Sequence, residues 1–196
     1  TSSNMSKWIS HNLVFVYASS MVAAVMCGIN FFNLYANQRS ALVILGIISI
    51  LYALPILPSS RGWIRLRDIG VTKPIVLGIT WGLVTAWLPL IIPSDDYFAL
   101  NVDEHGWLLV VARSFMVIAL CVPFDVKDMA YDSATMAYPT LPVRFGVHTA
   151  NSIAIVFSLL GLALSILWVY YDGWGYIVLA AMVASALINC IFLYLV

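Results

Sequence analysis

Charge is scarce in this sequence: nine Lys and Arg and nine Asp and Glu in 196 residues give a net formal charge of zero. With no basic run, nucleic-acid binding has no electrostatic footprint. Cysteine is scarce too. Cys27, Cys121 and Cys190 all fall inside apolar runs, odd in number and without C-x-x-C spacing, which excludes a disulfide framework and a cysteine zinc site. They read as small hydrophobes. His11, His105 and His148 have no triad or metal-ligand spacing among them and are assigned no role. The start, Thr-Ser-Ser-Asn, lacks an initiator Met and the basic region of a signal peptide. A processed chain, or a piece of a longer one, is expected.

What remains is apolar: 63% of residues are hydrophobic and the mean hydropathy is +0.98. Six stretches are long enough to span a hydrocarbon core of about 30 Å at about 1.5 Å per residue. They lie near 12–34, 41–57, 74–93, 107–124, 150–171 and 174–196. These runs are continuous rather than alternating, which argues against a barrel. The expected fold is all-α, a polytopic transmembrane helical bundle forming one integral-membrane domain over residues 1–196.

Lys and Arg in the short connections set the expected orientation. Lys7, Arg61, Arg65, Arg67, Lys73, Lys127 and Arg144 fall on one side, against Arg39 alone on the other. Asp95, Asp96, Asp103, Glu104 and Asp172 accompany Arg39. The side with seven cations is predicted to be cytoplasmic.

On that side runs a polar island, Asp125 to Gly146, between two apolar segments. Read as a helix continuing from the run before it, Asp125, Asp128 and Asp132 sit at i, i+3 and i+7, within roughly 60° of one another around the axis. Hard oxygen ligands on one face suit Mg²⁺, which favours one or two carboxylates plus substrate phosphates. A solvated loop with scattered charge accounts for the same spacing. Pro123 is expected to kink the helix beside the carboxylates. Lys127 should project away from them.

The island carries a resemblance. Asp125-x-x-Asp128-x-x-x-Asp132, followed by Thr140-Leu-Pro-Val-Arg-Phe-Gly146, resembles the second aspartate-rich motif of UbiA-type intramembrane prenyltransferases. A weaker echo is Leu51-Tyr52 leading into the basic stretch Arg61 to Arg67. The link Ser133 to Pro139 is one residue longer than usual, with Met136 and Tyr138 near where Gly and Lys are expected. The resemblance implies a bundle of about nine helices whose first aspartate motif would precede Thr1, and whose end lies about one helix beyond Val196. It implies Mg²⁺ held by Asp125, Asp128 and Asp132 from one side, Arg144 at the motif arginine, and an isoprenyl diphosphate as donor. The acceptor would be lipophilic, such as an aromatic quinone precursor. With half of the metal shell missing, the 196-residue chain alone is expected to be inactive. The alternative is a non-catalytic membrane homologue that binds lipid, quinone or a protein partner.

Other polar residues read as structural. Asn30, Asn33 and Asn37, spaced along one face of the first span, suit interhelical hydrogen bonding or an interfacial cap. Arg65 and Arg67 are anchors first and diphosphate attractors second. Arg113 should snorkel or pair. Gly78 and Gly82 form a G-x-x-x-G packing face. Trp81, Trp87, Tyr97 and Trp107 could line a prenyl cavity or face headgroups.

Overall fold

The computed structural model describes residues 11–59, 62–135, 138–173 and 176–195. Lys7, Arg61 and Met136 therefore lie outside the described residues. Among the described residues, eight α-helices account for most of the structure: α1 (Leu13–Asn33), α2 (Ala36–Ala53), α3 (Thr72–Leu90), α4 (Gly106–Lys127), α5 (Met129–Thr135), α6 (Leu141–Phe145), α7 (Val147–Asp172) and α8 (Tyr176–Leu195). Of these, α1, α2, α3, α4 and α7 are long and apolar enough to cross a membrane, consistent with a multi-pass membrane protein. The stretch expected as a sixth span forms the helix α8, but its described apolar part, Ile177–Ile191, is shorter than those five.

The bundle is built on α4, which packs against α7 on one side and α3 on the other, with α8 lying along α7. Small residues make these approaches close. On α7, Ala150, Ala154, Ser158, Gly161 and Ser165 form a buried stripe. A Cβ at Gly161 would come within 2.9 Å of the Ala112 carbonyl oxygen on α4. Gly78 and Gly82 do the same for α3: a Cβ at Gly78 would stand 2.7 Å from the Ser114 carbonyl, and one at Gly82 would stand 2.8 Å from that of Val110. The expected packing face is thus the α3–α4 seam. In lipid, such seams gain from backbone proximity and interhelical hydrogen bonds rather than from apolar burial. Asn189 Nδ2 donates to Ser158 Oγ at 2.8 Å between α8 and α7, and Asn151 Nδ2 donates to the Leu193 carbonyl at 2.9 Å.

Two apolar clusters divide the bundle along its length. Ala86, Leu109, Val110, Trp168, Val169 and Met182 fill one end. Ala119, Val122, Ala150, Ala154 and Leu193 fill the end nearer the aspartates. Helix α1 buries none of its residues.

The second span differs from expectation. It runs from Ala36 to Ala53 rather than from 41 to 57, and Pro55 opens an antiparallel hairpin, β1 (Pro55–Ser59) with β2 (Gly62–Arg65). Gly62 takes φ +103°, and Trp63 projects outward. The strand accommodates Pro55 and Pro58 because a two-stranded ribbon is all edge.

The asparagine series also breaks. Leu34, the C-cap of α1, has ψ 153° and the next residue, Tyr35, ψ 158°, so Asn37 belongs to α2 and shares no helix face with Asn30. Its side chain is fully buried and fully paired. Nδ2 donates to the carbonyls of Ile92 (2.7 Å) and Ala99 (2.8 Å), while Oδ1 accepts from the N–H groups of Gln38 (2.9 Å) and Ser94 (3.2 Å). Asn37 pins the 91–102 loop to the start of α2, a structural role of the expected kind in an unexpected place.

Candidate functional site

Lys73 opens the first turn of α3, directly after the loop that follows the hairpin. Its Nζ lies 2.7 Å from Asp125 Oδ1 in the last turns of α4. The Asp125 side chain is 0% exposed and that of Lys73 22%. The α3–α4 seam holds the pair in reach, since Gly78 and Gly82 let α3 approach α4 along its length. Sequence reasoning counted Lys73 only as a topological anchor. No local pattern joins residues 52 positions apart, although a lysine at the very start of an apolar helix was the available signal.

Around this pair the polar groups are incompletely satisfied. Asp125 Oδ2, Asp132 Oδ2 and Thr140 Oγ1 are buried and have no hydrogen-bond partner. Buried polar groups are nearly always paired; Arg39 Nε, Asn151 Oδ1 and Asn189 Oδ1 also lack a partner, and what distinguishes this region is that two of its orphans are carboxylate oxygens within the field of Lys73. The region is assembled from three segments. Asp125 comes from α4 and Asp132 from α5. Thr140, the N-cap of α6, is carried by a strand-like segment docked on the loop before α3. There Gly70 N–H donates to the Tyr138 carbonyl at 3.3 Å, and a Cβ on Gly70 would collide with the backbone of Pro139 and Thr140. Gly70 is needed for this approach.

The single helix expected through the three aspartates is interrupted. α4 continues past Pro123 to Lys127 and stops at Asp128 (φ −93°, ψ 5°), and α5 starts at the next residue. Backbone hydrogen bonds from Asp128 to Phe124 and from Asp132 to Asp128, both 2.9 Å, bridge the step. Asp125 and Asp132 face inward while Asp128 is exposed. Burial pushes the Asp132 carboxyl above its ordinary range; the Lys73 charge opposes this and the Asp128 charge adds to it. Among the described residues, the three carboxylates do not bring ligand oxygens within 4.8 Å of one another. Asp125 and Asp132 nonetheless offer one unpaired buried oxygen each, which fits a cation that takes one or two protein carboxylates and completes its shell from substrate.

The remaining residues divide. Lys127 is exposed, in keeping with its expected projection. Arg144 is exposed, its guanidinium carbon 5.2 Å from the centre of the Phe145 ring. Arg67 is half-exposed and within 3.8 Å of Asp68, and Arg113 lies exposed on α4. Tyr52, at the end of α2, and Trp81 help line an apolar cavity of about 220 Å³ with Ser49, Leu77, Thr80 and Val84. The cavity sits between α2 and α3, beside the helix that carries Lys73. Comparison with known proteins adds nothing to this geometry: no family model, curated protein or solved structure matches the chain.

Proposed function

We propose that the Asp125 cluster is the diphosphate end of a UbiA-like prenyltransferase site, with the cytoplasmic side at this end of the bundle. The observation that carries the reading is the trio of buried, unpartnered oxygens on Asp125, Asp132 and Thr140 next to a lysine. Asp125 and Asp132 are the residues to hold Mg²⁺, with Asp128 at the exposed rim. When bound, Mg²⁺ supplies Lewis-acid neutralisation of a departing diphosphate. Lys73 already neutralises Asp125 and is placed to donate to phosphate oxygens once that carboxylate turns to another cation. Arg144 stands outside this group and adds long-range attraction. The apolar cavity bounded by Tyr52 and Trp81 offers a dry wall for an isoprenyl chain, and exclusion of water there protects an allylic cation. A lipophilic aromatic acceptor would enter from the bilayer.

One feature favours the second reading, a homologue that binds without catalysis: the Lys73–Asp125 pair satisfies one of the carboxylate oxygens a metal would want. Equilibrium binding of an isoprenyl diphosphate to the detergent-purified protein separates the two. Mg²⁺-dependent binding that Asp125→Asn abolishes supports the prenyltransferase site. Binding that ignores both Mg²⁺ and the substitution overturns it in favour of the non-catalytic reading.

A further inference from the structure

At the other end of α4 and α7, away from the aspartate island, a second group of ligating side chains comes together from distant parts of the sequence. Asp103 and His105 immediately precede α4, and Asp172 is the last residue of α7. Each contributes one ligand atom, and the three atoms all lie within 4.8 Å of one another. The arrangement is held in place on both sides. His105 stacks on Tyr171, ring centres 4.6 Å apart and planes 5° from parallel, which sets the imidazole beside the neighbouring Asp172. Asp103 is fixed by its turn: its carbonyl accepts from Gly106 N–H at 2.9 Å and its Oδ2 from His105 N–H at 3.4 Å. Glu104 Oε1 lies a further 3.8 Å from His105 Nε2.

Asp103 and Asp172 are exposed and His105 is partly buried, so an ion can reach the group from solvent. Among the described residues, no lysine or arginine forms an ion pair with Asp103, Glu104 or Asp172. Asp172 also sits at the carboxyl end of a 26-residue helix, where the backbone dipole opposes a negative side chain and favours a cation. Gly173, at φ +68°, ends the helix there and fixes the position. An imidazole with two carboxylates is a ligand set for a borderline divalent ion such as Zn²⁺, and softer than the all-oxygen set that Mg²⁺ prefers.

We propose that Asp103, His105 and Asp172 form a divalent transition-metal site that clamps the start of α4 to the end of α7. The site has an open fourth position for water, while Glu104 faces the other imidazole nitrogen. It is independent of the prenyltransferase reading, because its residues lie a full helix length from Asp125. Its role is mechanical: α4 and α7 form the most extensive helix pair in the bundle, and a clamp at one end restricts the hinge of the pair whose other end carries Asp125.

The test uses the purified chain in detergent, stripped with EDTA and titrated with Zn²⁺ by calorimetry and by thermal unfolding. One Zn²⁺ per chain should bind and raise the melting temperature, with Mg²⁺ unable to replace it. His105→Gln and Asp172→Asn should each weaken binding by more than about tenfold, while Asp125→Asn, which disarms the other cluster, should leave it unchanged. Co²⁺ substituted for Zn²⁺ should give a visible d–d spectrum that His105→Gln alters, a readout that holds even if a variant is less stable. Absence of zinc binding in the parent chain overturns the proposal. So does zinc binding that survives both substitutions or disappears with Asp125→Asn.

Discussion

Two buried polar groups anchor opposite ends of α3, and they are completed differently. Around Asn37, every side-chain donor and acceptor has a partner in the 92–99 loop or the next residue. Around Asp125, one carboxylate oxygen is paired with Lys73 and three neighbouring oxygens are left over. Buried groups cost free energy until paired. The Asn37 group therefore reads as finished architecture, and the Asp125 group as a place where something else is to bind. The contrast separates structure from candidate function where residue type alone does not, since both groups sit at ends of apolar helices.

The largest effect should come from Lys73→Met, which leaves Asp125 buried and unpaired; a loss of about 3 kcal/mol is expected. The double substitution Lys73→Met with Asp125→Asn should recover most of it in a double-mutant cycle read by unfolding in detergent. Failure to recover would mean that the pair is not the source of the loss. Asn37→Ala should cost about 2 to 3 kcal/mol through the loop groups it strands. It should leave diphosphate binding intact, and a matching fall in binding would erase the distinction drawn above. Gly82→Ala, which forces α3 off α4, should cost about 1 to 3 kcal/mol and weaken both groups together by shifting the helix they share.

The smallest effect concerns Asp132. Its carboxyl is held above the ordinary 3.8 by burial first, so the folded chain retains a proton that the unfolded chain has released. Stability contributed at this position is therefore full below pH 3.8 and declines as pH rises through the raised value. In EDTA, Asp132→Asn should be more stable than the parent at neutral pH, with the gap closing on acidification. A gap that widens on acidification would contradict the assigned burial.

Much of the bundle was legible in the sequence because long apolar runs leave little choice. The spans expected at 107–124 and 150–171 appear as Gly106–Lys127 and Val147–Asp172, and Gly78 with Gly82 marked a close seam that exists. What escaped was set by long-range contacts. The 55–65 hairpin lay hidden because Pro55 and Pro58 read as helix terminators without announcing a strand pair. Lys73 escaped because its partner is 52 residues away, and His105 because its neighbours Tyr171 and Asp172 arrive from the far end of another helix. Periodicity put Asp125, Asp128 and Asp132 on one helix face; the structure buries Asp125 and Asp132 on two separate helices. The exposure of Asp128 was not anticipated, because periodicity is blind to a one-residue break.

Helix α3 changes its winding part-way along, from α to π geometry over Leu83–Trp87. Pro74, Gly78, Gly82 and Ala86 are all buried, a strict spacing of four. At about 100° per residue, each step of four overshoots a full rotation by about 40°, and three steps would carry Ala86 about 120° out of line. Between Leu83 and Trp87 the helix opens to π geometry, with Leu88 N–H reaching back five residues to the Leu83 carbonyl. That expanded turn takes back part of the accumulated phase, and Ala86 stays buried against Leu109 and Val110 of α4. The last turn of α3 then leads into Ile92, whose carbonyl accepts from Asn37 Nδ2. The π turn thus acts as a partial phase correction between the two ends of one helix, letting a four-residue packing rhythm and a fixed loop exit coexist.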